Sequence, residues 1–191
     1  MIKVIFAVGS NGEFGLSNKL PWGDLPKEDK DQFVNFTRDS VLVMGRNTWD
    51  SLPKKLPNRK HVVISSSPLN VTPKENGETP DKIVINPDNN LEKLCKELEM
   101  EFLSDVTIIG GQSFIEHGVH FADKVSMTLV TPVGDWKLPY DVSLSVPLLT
   151  HQLNWGYDEY VVSNSIDATS LKDGTVGTIE VTIKEFIKGG E

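Results

Sequence analysis

Ser40-Val41-Leu42-Val43-Met44-Gly45-Arg46-Asn47-Thr48-Trp49 decides the architecture of this chain. Four consecutive apolar residues with no in–out alternation suit a strand buried on both faces, the habit of parallel sheets. Gly45 closes the run, and Gly45 to Ser51 has the length and polarity of a short helix. A strand passed directly to a helix is the repeating unit of an α/β fold. The same grammar holds on both sides of this stretch. Residues 2–9 are a continuous apolar run closed by Gly9-Ser10-Asn11-Gly12, a central strand and its loop. Pro26 stands where the first turn of a helix tolerates proline, so Lys27 to Arg38 reads as helix, with Glu28 and Asp29 at the positive end of its dipole.

Val62 to Ser65 and Ile83 to Ile85 follow as strands, separated by Asn70 to Asp81, a polar, Pro- and Gly-containing stretch expected to be an exposed loop. Leu91 to Phe102 has helical periodicity, and Val106 to Ile109 is a strand ending in Gly110-Gly111. Gln112 to His117 starts a helix that Gly118 can stop. In Lys124 to Val130, the residues Val125, Met127 and Leu129 alternate with Ser126 and Thr128. Glu159 to Ser163 and Val176 to Ile187, with Asp173-Gly174 between them, read as an antiparallel pair. The expected fold is therefore α/β. It is a single domain over residues 1–191 with a mainly parallel central sheet, helices on both faces and an antiparallel C-terminal strand pair. No internal repeat or composition shift marks a second domain.

With 191 residues and 38% hydrophobic content, the chain can bury a real core. Its net charge of -8 argues against broad nucleic-acid binding, which needs clustered cations. Lys54, Lys55, Arg59 and Lys60 form the clearest local positive site. No apolar run reaches the roughly 20 residues that span a bilayer. The short start Met1 to Val8 leads straight into fold sequence and does not read as a signal peptide. A single cysteine, Cys95, excludes an internal disulfide; with Leu91, Leu94 and Leu98 at helical spacing it reads as a small core residue. The expectation is a cytoplasmic protein, a monomer, with neither membrane nor nucleic-acid partner.

Ligands of open α/β sheets bind beyond the carboxyl ends of the strands. Those ends carry Ala7-Val8-Gly9, Gly45-Arg46, Ser65-Ser66 and Gly110-Gly111. Gly45-Arg46-Asn47-Thr48 offers free N–H groups at a strand-to-helix turn, an anion site. Asp29 shares a helical face with Phe33 and with Phe36 or Thr37, which aims an acid and an aromatic ring the same way. On the helix alone, a simple helix-start residue is the commoner reading of Asp29. Arg59, just after Leu56-Pro57, has the planar fork that suits a carboxylate, although a loop arginine is more often a solvated surface group.

In order and spacing, Leu20-Pro21-Trp22 with Asp29, Val43 to Trp49, Leu56-Pro57-Asn58-Arg59-Lys60, Ile108-Ile109-Gly110-Gly111 and Met127-Thr128 resemble dihydrofolate reductase over most of the chain. The resemblance implies NADPH-dependent reduction of 7,8-dihydrofolate to tetrahydrofolate, and binding of antifolate inhibitors. It makes Asp29 the acid that binds the pterin, with Trp22 and Thr128 as its catalytic companions. Glu28 is the rival acid, but Phe33 and Thr37 follow Asp29 at the family's spacing. Ile5, Phe33, Leu52, Leu56 and Ile109 would line the substrate pocket, and Arg59 would grip the glutamate tail with Lys54 or Lys55 as looser helpers. Lys30 stands where the family usually has an apolar residue; its stem can cover the ligand while its ammonium reaches water.

For the cofactor, the resemblance implies Ala7, the mobile loop carrying Glu13, Phe14, Gly15, Leu16, Ser17, Asn18, Lys19 and Leu20, and the turn Gly45, Arg46, Asn47 and Thr48. Arg46, Ser65 and Ser66 would hold the extra phosphate that distinguishes NADPH from NADH. Ile109, Gly110, Gly111, Gln112, Ser113, Phe114 and Ile115 would meet the pyrophosphate and nicotinamide side, with a Gly110–Gly111 bond that is commonly cis in the family. Ile115 replaces an expected aromatic residue. Gly9 to Gly15 does not spell G-x-G-x-x-G, and His117 with His120 lacks further ligands at metal spacing, so no metal is expected. Two other readings share the fold: a pyrimidine reductase of riboflavin synthesis, and a non-catalytic pterin- or nucleotide-binding protein.

Overall fold

Strand β3 (Val41–Gly45) is the most completely buried strand of the first half, with Val41, Leu42, Val43 and Met44 each at most 1% exposed. The computed structural model describes residues 1–85, 90–146, 149, 153, 156–169 and 176–188. They form two compact units: Met1–Ile5 with Thr37–Lys124, and Phe6–Phe36 with Val125–Glu191.

In the first unit β3 lies between β4 (Lys60–Ile64) and β6 (Val106–Gly110), and the order continues outward to β5 (Lys82–Val84) and to the first residues of β1 (Ile2–Gly9). Every pairing is parallel, with Val43 opposite both Val62 and Ile108. That accounts for the apolar runs: each inner strand has covered faces, so no alternation is required. Helix α2 (Arg46–Ser51) follows β3 with Gly45 as its N-cap rather than its first residue. Helix α3 (Leu91–Phe102) buries Leu91, Cys95 and Leu98, as the spacing implied, and Asn90 caps it by accepting the Lys93 N–H at 3.0 Å. Helix α4 (Gln112–Gly118) runs through Gly118 instead of stopping before it. A Cβ there would lie 2.8 Å from Ile108 Cδ1 and 3.0 Å from Val4 Cγ2, so the glycine serves close helix–sheet packing.

The second unit holds the remainder of β1, then β7 (Lys124–Val133), β10 (Val176–Ile187) and β9 (Gly156–Thr169) in that order. β9 and β10 are antiparallel, running from Val176 opposite Thr169 to Ile187 opposite Gly156, with an irregularity between Ile179 and Val181. The expected pair is present, and β9 is longer than Glu159 to Ser163; Asp173-Gly174 lies outside the described residues. A small antiparallel sheet joins β2 (Glu13–Gly15) to β8 (Val142–Ser143). Trp22, Leu25, Val130, Leu138, Ile179 and Val181 form the core.

Three expectations need correction. Helix α1 is Lys27–Phe36, shorter than the reading to Arg38, because the chain turns at Asp39 (φ 53°) with Ser40 N–H on Thr37 O at 3.2 Å. β7 does not divide into inner and outer faces: Ser126 and Thr128 are as buried as Val125 and Met127. Residues 70–81 are not simply an exposed loop. Lys74 is buried over the Trp49 ring, 4.1 Å from its centroid, and Trp49 Nε1 donates to Thr72 O at 2.9 Å.

Candidate active site

Asp29 stands in the first turn of α1, where residues one turn apart share a face, and half-buried Phe33 follows it there. Thr128 Oγ1, on the neighbouring β7 of the same unit, donates to Asp29 Oδ1 at 2.5 Å. Burial raises the Asp29 pKa above the ordinary aspartate value; the Thr128 hydrogen bond and the Lys30 charge oppose that rise without cancelling it. The carboxyl therefore keeps its proton to higher pH than an exposed aspartate. Lys30 is exposed, its Nζ 3.6 Å from Asp24 Oδ1, so its charge sits in water. Glu28 is exposed. Trp22 is 1% exposed within the core, Ala7 packs on that cluster, and the Trp22 indole N–H has no hydrogen-bond partner among the described residues.

The segment ahead of α1 is tightly organised. Glu13 is buried and its carboxylate accepts from Asn11 N at 3.0 Å and Asn11 Nδ2 at 3.1 Å. Its side chain is closed onto its own turn, which corrects the expectation that it runs along a cofactor. Phe14 and Gly15 are half-buried in β2, and Leu16 is buried. Leu16 and Lys19 pair across a tight turn in which Ser17 and Asn18 have φ of 50° and 60°. Ser17 N–H donates to Asp141 Oδ2 at 2.7 Å, and Leu20 is 41% exposed.

In the other unit, Gly45, Arg46, Asn47, Thr48, Ile64, Ser65, Ser66 and Gly111 to Phe114 line one cavity of about 350 Å³. The sequence separates these residues widely, and the parallel register of β3 with β4 and β6 gathers them at the carboxyl ends of the strands. Gly110 has φ 153°, and a Cβ on it would lie 2.6 Å from Thr48 Oγ1; a Cβ on Gly45 would lie 2.9 Å from the Phe114 ring. Arg46 is exposed, its Nη2 on Asn47 Oδ1 at 3.3 Å. Two corrections apply. No peptide bond among the described residues is cis, Gly110–Gly111 included. Ile115 is fully buried, so the ring that lines the cavity is that of Phe114, one residue earlier. Ser65 Oγ donates to Ser67 O at 2.8 Å, while Ser66 is exposed.

A larger cavity of about 1020 Å³ in the same unit is lined by Lys54, Lys55, Leu56, Pro57, Arg59 and Lys60, with Asp39, Glu78 and Asp81 among its acidic groups. Arg59 is held in place: Nε donates to Thr37 O at 3.1 Å and Thr37 Oγ1 at 3.0 Å, and Nη1 to Pro57 O at 2.7 Å. Lys55 is committed to Asp81 Oδ2 at 2.7 Å. Leu52, Leu56 and Ile109 pack on the buried cluster of Leu42, Met44, Trp49 and Val63, and Ile5 is buried in β1.

The family model for dihydrofolate reductase matches residues 1–144 of the chain. The chain belongs to the dihydrofolate reductase family. It is similar to a dihydrofolate reductase type 9 of Escherichia coli, 35% identical over 145 residues that cover 75% of this chain and 77% of that one. It is also similar to the dihydrofolate reductases of Ureaplasma parvum serovar 3 (29% over 167 residues, 85% and 95% covered) and Bacillus subtilis (32% over 130 residues, 68% and 69% covered). β9 and β10 lie beyond the matched residues. As in dihydrofolate reductases generally, a small-molecule substrate and a nicotinamide cofactor are implied.

This dihydrofolate reductase chain ties down some polar groups that sequence reasoning missed: buried His61 with Asp81, buried Lys74 on Trp49, and half-buried Gln32 with buried Glu185 at 2.5 Å. His61 carried a signal, a lone titratable residue heading the apolar run Val62-Val63-Ile64. The others are separated from their partners by 20 or more residues and had none. Among the described residues no group of His, Cys, Asp and Glu could hold a metal, and no helix is long and apolar enough to cross a membrane.

Proposed function

We propose that this chain reduces 7,8-dihydrofolate to 5,6,7,8-tetrahydrofolate with NADPH. The observation that carries the reading is the Asp29 carboxyl, partly withdrawn from water, tied to Thr128 and holding its proton to higher pH than an exposed aspartate does, within the residues matched to the family. A pterin presents a ring N–H beside an exocyclic amino group, a donor pair that one carboxylate can accept in parallel. When protonated, the same carboxyl can release that proton toward the imine nitrogen and become the accepting carboxylate; the Trp22 N–H, without a partner among the described residues, suits a water that relays it. When bound, the nicotinamide supplies the hydride.

The cavity at Gly45–Thr48, Ser65, Ser66 and Gly111–Phe114 fits a nucleotide's phosphates in its chemistry. It offers a strand-to-helix turn, glycines whose Cβ would obstruct close approach, and an exposed guanidinium for the ribose phosphate that favours NADPH over NADH. Arg59, oriented by Thr37 and Pro57, grips the glutamate carboxylate of folate, with Lys54 as helper. Asp29, Trp22 and Thr128 are thus the catalytic group. The test is NADPH oxidation followed by absorbance with dihydrofolate and, separately, with the pyrimidine substrate of riboflavin synthesis. Oxidation only with the pyrimidine, or antifolate binding with no turnover of dihydrofolate, rejects the reading.

A further inference from the structure

Leu56 to Arg59, the stretch that carries the cationic grip, is held at Arg59 by Thr37 and braced at Leu56 by a second buried side chain. His61, the second residue of β4, has a fully buried imidazole whose Nε2 accepts the Leu56 N–H at 3.1 Å. The His61 backbone N–H donates to Asp81 Oδ2 at 2.8 Å, and the same oxygen takes Lys55 Nζ at 2.7 Å. Glu78 Oε2 accepts the Lys55 N–H at 2.9 Å. The imidazole also stands edge-on to Trp49, 5.9 Å between ring centres. The turn is thereby tied at Lys55, Leu56 and His61, and Asn58 between them takes φ 57°.

An imidazole that accepts at Nε2 is neutral, with its one proton on Nδ1; a second proton would set donor against donor at Leu56. We propose that neutral His61 is a positioning residue for the Leu56–Arg59 grip, so that protonating it loosens the substrate's carboxylate tail without altering the reduction step. The proposal rests on the assignment of Arg59 to that tail. The charged groups around the ring are Lys55 and Arg59, which disfavour a second proton, and Asp81, whose Oδ2 is 3.8 Å from Nδ1 and favours it, with Glu78 nearby. Burial is the largest influence and holds the pKa below the ordinary histidine value of 6.5. The ring is therefore neutral at pH 7 and takes its second proton only in acid.

The experiment measures kcat and KM against pH for dihydrofolate and for a dihydropterin without the glutamate tail, using the wild type, His61→Gln, His61→Leu and Arg59→Ala. His61→Leu fills the space but orphans the Leu56 N–H; KM for dihydrofolate should rise about tenfold, with kcat and the tail-less KM within about twofold. Wild-type KM for dihydrofolate should rise as pH falls through the His61 pKa, which lies below 6.5. His61→Gln, whose amide oxygen can stand where Nε2 stands and accept from Leu56 but does not titrate, should keep the low KM and lose that rise. If His61→Leu does not fold, the Gln profile decides. Superimposable pH profiles for wild type and His61→Gln overturn the proposal. If His61 variants leave KM flat while Arg59→Ala raises it, the tail assignment stands and the positioning role falls. An unchanged KM in Arg59→Ala rejects the tail assignment and this proposal with it.

Discussion

Replacing Thr128 by valine isolates the one contact on which the Asp29 chemistry depends. The two side chains have nearly the same shape, so packing in β7 is kept while the O–H donor to Asp29 is lost. The bond is 2.5 Å long, at the short end for a hydroxyl on a carboxylate, and Thr128 is 3% exposed while Asp29 is half-buried, so water can replace the donor only from the Asp29 side. A hydrogen bond to a charged group contributes about 1.5–3 kcal/mol, which converts to a ceiling of about ten- to hundredfold in kcat/KM. The direction in pH is also fixed. The Thr128 bond lowers the Asp29 pKa against the dominant effect of burial, so its removal lets the carboxyl keep its proton to higher pH. The alkaline fall in turnover should move to higher pH in Thr128→Val, while Thr128→Ser, which keeps the hydroxyl, should follow the wild type. Steady-state kinetics across pH give both readings, with NADPH binding as the check that the variant is folded. A folded Thr128→Val with kcat/KM within about twofold of wild type and an unmoved alkaline limb would refute the reasoning.

Asp29→Asn should lower turnover far more than NADPH affinity, yet leave thermal stability at pH 7 equal or higher. Because the folded pKa is raised, the unfolded chain loses this proton first. Stability therefore declines as pH rises from the ordinary aspartate value of 3.8 to the folded pKa and stays reduced above it. A lower melting temperature for this variant at pH 7 contradicts that sign. Gly110→Ala forces a Cβ to 2.6 Å from Thr48 Oγ1 at φ 153°, and should cost about 1–3 kcal/mol in urea denaturation and weaken NADPH binding; wild-type values for both count against the packing argument. Arg46→Ala should narrow the preference for NADPH over NADH, measured as the ratio of the two kcat/KM values, and a retained ratio removes Arg46 from the phosphate site. His61 should make the protein lose stability as pH falls below 6.5, because its folded pKa is lowered and the unfolded chain takes the proton first. His61→Gln, which keeps an acceptor for the Leu56 N–H, should lack that loss in acid titrations followed by circular dichroism.

By itself the sequence determined the strand–helix alternation, the parallel class of sheet and the pairing of the two C-terminal strands, because these follow from local periodicity and from which faces each strand must cover. It also determined the residue types of the site, since Asp29, Arg59 and the Gly45 turn stand inside motifs whose spacing is local. It could not reveal that α1 ends at Phe36, that Gly118 lies inside its helix against Val4 and Ile108, or that Glu13 and Ile115 turn inward, because each depends on atoms distant in the chain. Only the tertiary structure decided the ionisation bias of Asp29, which comes from burial and from a threonine 99 residues away. The same holds for the brace around Arg59, where His61, Asp81 and Glu78 acquire their partners through the parallel register of β3, β4 and β5 and the return of residues 71–81. Periodicity encodes which side of an element is covered; the charge state and orientation of a polar group depend on what covers it.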